Sequence, residues 1–167
     1  GAEMAKSDIK SAFRLLPVHP DDFELLGIQF EGQWYVDKAL PMGCSISCSL
    51  FETFSTFLEW AFTESTGSKG VTHYLDDFFF VGTPGSADCQ ASLTSFKELM
   101  KEFGVPLAEE KTFGPDTVMV FLGIEIDSQK MEARMPSEKK EKMLKLIGDM
   151  LGKDKVRVKE VQVLLGH

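Results

Sequence analysis

Three aspartates have the type and spacing that could support chemistry in this chain. Asp76 and Asp77 are adjacent and lie between two short runs of apolar and aromatic residues, whereas Asp8 lies near the N-terminus. Apolar runs closed by Gly or Pro are typical of buried strands, and an Asp-Asp pair favours a turn. The stretch therefore predicts a hairpin with an acidic tip. A divalent cation such as Mg²⁺, which prefers carboxylate oxygen, would relieve the repulsion at this tip; a solvated turn is the simpler alternative.

Asp8 gives the acidic pair a chemical context. Two-metal phosphoryl transfer needs carboxylates from separate strands that hold two cations ~4 Å apart, one activating the attacking oxygen and one stabilising the leaving oxygen. We predict that Asp8, Asp76 and Asp77 converge within a few ångströms. A structure with Asp8 on the other side of the sheet from Asp76 would contradict this interpretation.

Periodicity predicts the elements that must position these aspartates. They are a strand from Lys6 that turns at Asp8, a hairpin over 25–36 with a Glu31-Gly32 turn, a helix over 48–64 with Ser47 as its N-cap, the acidic hairpin over 72–82, a helix over 86–103, a strand over 118–126, a turn at 129–130, a helix from 137 and a helix over 157–165. The first helix has an apolar stripe that we expect in the core: Leu50, Phe51, Phe54, Phe57, Leu58, Ala61 and Phe62. This order predicts the α+β class, with an antiparallel sheet covered on one face by helices.

Charge and composition narrow the possible functions. The chain has 167 residues and a net charge of −8, and residues 1–135 carry ten basic against 21 acidic residues. Such an acidic body argues against tight, unassisted binding of nucleic acid. No apolar run is long enough to span a membrane, and no signal-peptide pattern is present. The three cysteines lack metal-ligand spacing, so we expect reduced thiols and an intracellular protein, cytoplasmic or nuclear.

Five short motifs occur in a recognisable order. They are Asp8–Phe13, then Leu40–Gly43 with Ser47 and Phe51, then Tyr74-Leu75-Asp76-Asp77, then Glu110-Lys111 after Gly104, and finally Phe121-Leu122-Gly123. Together they resemble motifs A to E of a reverse transcriptase palm, most closely those of DIRS-type and long-terminal-repeat retrotransposon enzymes. Residues 159–166 resemble the thumb segment that follows.

The resemblance implies an RNA-directed DNA polymerase that uses two Mg²⁺ ions, with Mn²⁺ as a possible substitute. Asp8 and Asp76 would bind both metals, with Asp77 as a more dispensable third carboxylate, and Lys111 would act near the leaving pyrophosphate unless it is only a surface lysine. The remaining implied site residues are the metal-side backbone of Ile9, the nucleotide-binding residues Ile9, Lys10, Ser11, Ala12, Phe13, Met42 and Gly43, and the primer grip Phe121, Leu122 and Gly123. A buried strand would explain Phe121 and Leu122 equally well.

The resemblance also predicts the organisation of the chain. Residues 1–135 would form the palm, with a residual fingers hairpin at 17–40, and residues 136–167 would begin a helical thumb. The expected partners are an RNA or DNA template with its primer and deoxynucleoside triphosphates. Because only seven residues precede Asp8, we also expect the fingers and full thumb of a parent polyprotein, with or without ribonuclease H domains. Met42 and Cys48 depart from the Gln and Pro of many relatives. The alternatives are a catalytically silent palm kept as a scaffold or interaction module, and an RNA-templated RNA polymerase, which Phe13 disfavours.

Phe13 provides a test of the resemblance, because at this position an aromatic ring would close the pocket where a ribose 2′-hydroxyl would sit. In a longer parent enzyme, Phe13→Ala should raise ribonucleotide incorporation relative to deoxyribonucleotide incorporation at least about tenfold, or ~1.4 kcal/mol. Steady-state incorporation of both substrates gives the ratio, which a general loss of stability leaves unchanged. If both rates fall together, Phe13 is a packing residue.

Overall fold

The chain folds into helices and antiparallel strands, which confirms the predicted α+β class. The structure is a computed structural model that describes residues 1–166. Its strands are β1 (Glu3–Asp8), β2 (Gly27–Phe30), β3 (Gln33–Val36), β4 (Val71–Tyr74), β5 (Asp77–Gly82), β6 (Phe113–Asp116), β7 (Val118–Phe121), β8 (Ile124–Asp127) and β9 (Glu132–Arg134). Its α-helices are α1 (Ser47–Thr66), α2 (Asp88–Glu102), α3 (Ser137–Leu151) and α4 (Val158–Leu165), and short 3₁₀ helices span Ala12–Leu15, Pro20–Leu26 and Glu109–Lys111.

The chain divides into two compact units, residues 1–116 and the segment from Thr117 onward. The first unit holds a four-stranded antiparallel sheet in the order β4-β5-β1-β6, the β2-β3 hairpin, α1 and α2. The second holds a three-stranded antiparallel sheet in the order β7-β8-β9, followed by α3 and α4. No helix among residues 1–166 is long and apolar enough to cross a membrane.

Alternation along the central strands gives the first sheet two different faces. Ala5 pairs with Phe80 and Ser7 with Phe78, and these four side chains are buried on the face where α1 and α2 pack. The intervening residues, including Asp8 and its partner Asp77, point to the other face. A shift of register by one residue would bury these carboxylates among the helices, so the apolar pattern determines where the acidic groups lie.

Aromatic rings fill the space between the sheet and the two helices. Phe78 and Phe80 of β5 meet Phe96 of α2 at centroid distances of 4.7 and 5.1 Å, and Phe62 of α1 meets Phe96 at 5.7 Å. All four rings are fully buried. This cluster fixes both helices on one face of the sheet, as the sequence predicted.

The start and the stripe of α1 differ from the sequence prediction. Ser47 is not the N-cap: Ile46 occupies that position, and the Ser47 hydroxyl donates instead to the Pro41 carbonyl at 2.6 Å. Leu50 and Phe57 are about half exposed, at 46% and 48%. The helix buries a narrower stripe than predicted because only one of its faces meets the sheet. The buried residues of this stripe are Ser47, Phe51, Ser55, Leu58 and Phe62.

Two hairpins and the second unit test the strand predictions. The Glu31-Gly32 turn between β2 and β3 and the acidic hairpin of β4 and β5 are confirmed. The acidic turn consists of Leu75 and Asp76 rather than of the predicted Asp-Asp pair, because Asp77 already pairs as the first residue of β5. The predicted single strand over 118–126 is wrong, because the chain reverses at Leu122-Gly123, both at positive φ, and forms β7 and β8. A continuous apolar run does not distinguish one strand from two that flank a Gly-containing turn. β6 was not predicted, since Gly114-Pro115 within it is typical of a loop.

Gly82 tests the close packing of β5 against α2. It is buried, and a Cβ added there would lie 2.5 Å from the Cys89 backbone nitrogen. Gly82→Ala should therefore lower the free energy of unfolding by ~1–3 kcal/mol. Denaturant unfolding followed by tryptophan fluorescence measures it, because Trp34 and Trp60 both belong to the first unit.

Gly27→Ala is the matched control for this substitution. A Cβ at Gly27 would meet the Trp34 ring at an ordinary 3.7 Å, and the residue is exposed. Its unfolding free energy should stay within ~0.5 kcal/mol of the parent value. Equal effects of the two substitutions would contradict the close approach of β5 and α2.

Candidate catalytic carboxylate site

The three aspartates lie where two neighbouring strands meet. Asp8 ends β1, Asp77 begins β5, and the two are direct partners in the antiparallel ladder. Asp76 occupies the β4-β5 turn, and its carbonyl accepts a hydrogen bond of 2.9 Å from the Ile9 amide. The sheet thus brings Asp8 beside the Asp76-Asp77 pair although 68 residues separate Asp8 from Asp76 in the sequence. Asp8 and Asp77 share a face of the sheet because they are cross-strand partners. The convergence of the three carboxylates within a few ångströms stays a prediction.

Lys111 forms an ion pair with Asp8. It ends a short 3₁₀ helix, and its Nζ donates to Asp8 Oδ2 at 3.0 Å. The Asp8 side chain is only 8% exposed, whereas that of Lys111 is 60% exposed. This hydrogen bond, together with the negative charge of Asp8, raises the pKa of Lys111 above its ordinary value. Lys111 therefore stays protonated and supplies a positive charge at the edge of the acidic group.

The pKa values of Asp76 and Asp77 are both raised above their ordinary range. Partial burial raises the pKa of Asp76, and repulsion from Asp8 adds to that effect. Partial burial likewise raises the pKa of Asp77, with further contributions from Asp76 and Asp8. The Lys111 charge opposes both shifts without cancelling them. The three carboxyl groups therefore repel one another across the strand ends.

These residues fit a hard divalent cation by the chemistry of their donors. Three carboxylates on one strand junction offer the oxygen ligands that Mg²⁺ and Mn²⁺ prefer, and their mutual repulsion is what a cation would relieve. Among residues 1–166, however, no three Asp, Glu, His or Cys side chains are oriented as a ready metal site. The Asp8 carboxylate faces Lys111 instead. The backbone placement is thus present, and the metal-binding roles of Asp8, Asp76, Asp77 and Ile9 stay predictions.

Helix α1 contacts the acidic turn directly. Leu75, which precedes Asp76, has a left-handed backbone with φ 52°. Its amide donates to Glu52 Oε2 at 3.3 Å. His73 lies between two glutamates of α1, with Nδ1 2.5 Å from Glu59 Oε2 and Nε2 3.3 Å from Glu52 Oε1. These three side chains could not be predicted from the sequence, because an isolated His and two glutamates seven residues apart carry no signal until α1 packs on β4.

The first backbone amides after Asp8 form hydrogen bonds within the protein. The Ile9 amide bonds Asp76, and the Lys10 amide donates to the Pro106 carbonyl at 2.9 Å. Ser11 has φ 60°, and Ala12 is buried at the start of the 3₁₀ helix. The backbone here is therefore bent sharply beside the carboxylates. Its predicted contact with a triphosphate stays a prediction.

Phe13 lies within the 3₁₀ helix Ala12–Leu15, because β1 stops at Asp8 and the chain turns at Ser11. The half-buried Phe13 ring contacts Phe51 of α1 edge-on, at a centroid distance of 5.2 Å. This contact anchors one edge of the ring in the core. The proposed contact with the nucleotide sugar is untested.

The remaining predicted residues come from other elements. Met42 and Gly43 lie in the bend before α1, where Met42 is 76% exposed and Gly43 has φ 87°. Phe121, Leu122 and Gly123 form the end of β7 and the turn into β8, in the second unit. Their predicted roles with nucleotide and primer stay predictions.

Comparison with known proteins gives this arrangement a family. Residues 2–126 match the family model described as "Reverse transcriptase (RNA-dependent DNA polymerase)". Among curated proteins, the chain is 29% identical over 136 residues to Protein P of Duck hepatitis B virus (strain Germany/DHBV-3) and 29% identical over 126 residues to Protein P of Heron hepatitis B virus. Each match covers 75% of this chain and 16% of the relative.

Solved structures show the same fold. The foamy viral protease-reverse transcriptase in complex with an RNA/DNA hybrid aligns with a TM-score of 0.79 at 23% identity, over 98% of this chain and 20% of that one. The same viral protein with double-stranded DNA aligns with a TM-score of 0.77 at 23% identity, over 98% and 31%. The family match spans the strand junction with all three aspartates, and the chain belongs to the reverse transcriptase family.

Proposed function

We propose that this chain is the catalytic palm of an RNA-directed DNA polymerase, one that joins deoxynucleotides to a primer 3′ end. The observation that carries the proposal is the pairing of Asp8 with Asp77 at adjacent strand ends, with Asp76 in the turn beside them. The chain spans 16% of the curated relatives it matches, so the activity is proposed for a larger protein.

The roles of the residues follow from where their charges lie. Reverse transcriptases generally use divalent metals; here Asp8, Asp76 and Asp77 would hold Mg²⁺ or Mn²⁺, and the bound ions would lower the pKa of the primer hydroxyl and neutralise phosphate charge. Lys111, kept protonated beside Asp8, would offer its ammonium group to the leaving pyrophosphate. Phe13 and the bent segment 9–13 would border the sugar and phosphates of the nucleotide.

The proposed partners are nucleic acids and nucleotides. The two foamy viral structures described above are complexes with an RNA/DNA hybrid and with double-stranded DNA. For this chain we propose a primed template and deoxynucleoside triphosphates, with residues 121–123 at the primer, residues 1–135 as palm with the fingers hairpin at 17–40, and residues from 136 as the start of a thumb. The relation to DIRS-type or long-terminal-repeat retrotransposon enzymes and the intracellular location of the protein also stay predictions.

One observation favours the second candidate, a catalytically silent palm kept as a scaffold. The Asp8 carboxylate is paired with Lys111, and the acidic side chains among residues 1–166 are not oriented as a metal site. In a working polymerase, the Asp8 carboxylate would turn from Lys111 towards a bound cation. In a silent module, this ion pair would persist when Mg²⁺ and a primed template are added.

Primer extension tests the proposed activity. A longer protein that includes the parent sequences on both sides should extend a DNA primer on an RNA template with Mg²⁺. Asp8→Asn and Asp76→Asn should each lower the rate about a thousandfold or more, equivalent to ~4 kcal/mol of transition-state stabilisation. Asp77→Asn should lower the extension rate by a smaller factor. The 167-residue chain alone should extend weakly or not at all, because its body is acidic.

Asp154→Asn is the matched control, since Asp154 is exposed and lies outside the family match. It should leave the extension rate unchanged. A longer protein that binds primed template without extending it would favour the scaffold. Robust, salt-resistant extension by the 167-residue chain would contradict the expected weakness.

The pH dependence of stability tests the repulsion at the strand junction. Because the folded pKa of Asp77 lies above its ordinary value of 3.8, the folded chain holds its proton more tightly than the unfolded chain. The ionised Asp77 therefore destabilises the fold, and this penalty disappears as pH falls through the raised pKa. Without divalent ions, Asp77→Asn should raise the free energy of unfolding at neutral pH, and the gain should shrink as the solution is acidified towards pH 3.8.

Added Mg²⁺ should have the opposite effect. It should stabilise the parent chain more than Asp77→Asn, because the parent offers one more carboxylate to the cation. Asp22→Asn, at an exposed position of the Pro20–Leu26 helix, controls for the loss of one negative charge. A parent that is more stable than Asp77→Asn at neutral pH without divalent ions would refute the repulsion.

A further inference from the structure

Two glutamates on α1 face the strand that leads into the acidic turn. Glu52 and Glu59 are seven residues apart, which is about two helical turns, so they lie on the same side of the helix. His73 of β4 belongs to the sheet face on which α1 packs, because it pairs with the buried Phe78. Its ring also stacks on that of Phe78, with centroids 5.3 Å apart.

His73 lies beside the carboxylate of Glu52. The His73 side chain is only 9% exposed, and its Nδ1 donates to Glu59 Oε2, since a carboxylate can only accept. Its Nε2 lies 3.3 Å from Glu52 Oε1 without forming a hydrogen bond of acceptable angle. The imidazole is thus adjacent to Oε1 of Glu52, whereas the other oxygen, Oε2, accepts from the backbone.

The backbone group that Glu52 binds belongs to a strained residue. Leu75 has φ 52°, a left-handed backbone conformation that residues other than Gly and Asn adopt at a cost in free energy. Its amide donates to Glu52 Oε2 at 3.3 Å. The turn is held at a second point, because the Asp76 carbonyl accepts from the Ile9 amide at 2.9 Å. The turn that presents Asp76 is therefore fastened to α1 at Leu75 and to β1 at Asp76.

We propose that Glu52 is a positioning residue, which fixes the direction of the Asp76 carboxylate by holding the Leu75 amide in its left-handed turn. Glu52 is 48% exposed and does not belong to the buried core, so its main structural contact is with this turn and with His73. The inference deepens the proposed polymerase function and rests on it for its catalytic consequence. The hydrogen bond itself can be measured without metal or nucleic acid.

The test compares two conservative substitutions at Glu52 in the 167-residue chain. Glu52→Gln keeps the length and an oxygen acceptor but removes the charge, whereas Glu52→Asp keeps the charge but is one methylene too short. Amide hydrogen exchange measured by NMR reports the protection of Leu75. Exchange at Leu75 should speed up at least about tenfold in Glu52→Asp and stay within about threefold of the parent in Glu52→Gln, because the acceptor rather than the charge holds the turn.

Glu64 supplies matched controls, because it is an exposed glutamate of the same helix. Glu64→Asp and Glu64→Gln should leave Leu75 exchange unchanged. Unchanged exchange in Glu52→Asp would overturn the proposal. Equal acceleration in Glu52→Asp and Glu52→Gln would overturn it too, because Gln retains the acceptor oxygen that is proposed to hold the Leu75 amide. Equal acceleration in Glu64→Asp would also overturn it, because it would indicate general loosening of α1.

A Mn²⁺ titration of the same variants measures the functional consequence. Glu52→Asp should weaken Mn²⁺ binding at least about threefold relative to Glu64→Asp, although both keep their charge. Equal Mn²⁺ affinities would overturn the link from Glu52 to Asp76. If the parent chain binds no Mn²⁺, the proposed metal-dependent function fails instead, while Leu75 exchange still decides whether Glu52 holds the turn.

Discussion

Electrostatic repulsion among three carboxylates at one junction of two strands is the constraint on which the first unit depends. Asp8 and Asp77 face each other across the ladder, and Asp76 adjoins them in the turn. Partial burial and proximity raise the pKa of Asp76 and Asp77, so the fold keeps these groups together at an energetic cost. Such a cost is typical of a site that binds a cation or transfers phosphoryl groups.

The rest of the unit supplies the rigidity that this cost requires. Rings from β5, α1 and α2 form a continuous buried cluster on one face of the sheet, and the alternation of the strands then directs Asp8 and Asp77 to the other face. Lys111 offsets part of the negative charge from outside the sheet. Glu52 holds the backbone of the turn from α1. Apolar packing, one ion pair and one hydrogen bond therefore oppose the same repulsion.

Much of this arrangement could be predicted from local sequence patterns. The acidic hairpin, the Glu31-Gly32 turn and the helices α2 and α3 each have a local signature in periodicity or turn residues. The order of five short motifs indicated the family before any contact was known. The failures have local causes as well: Leu122-Gly123 reverses a run that looks like one strand, and Ser47 bonds Pro41 instead of capping α1.

Contacts between elements that are distant in the sequence could not be predicted. The pairing of Lys111 with Asp8 spans 103 residues, and Glu52 reaches Leu75 only because α1 packs against β4. Phe13 likewise owes its contact with Phe51 to the fold of the 3₁₀ helix after Ser11. Motif order thus indicated the family, whereas the contacts of Asp8, Leu75 and Phe13 emerged only from tertiary structure.

Paramagnetic broadening by Mn²⁺ tests the central claim most directly, that the three aspartates act as a single cation site. In NMR spectra of the chain, substoichiometric Mn²⁺ should first broaden the resonances of Asp8, Asp76 and Asp77 and their immediate neighbours, and Asp76→Asn should abolish this selectivity. Mg²⁺ should compete for the same site. Broadening spread over the exposed acidic residues, or selective broadening that survives Asp76→Asn, would contradict the account.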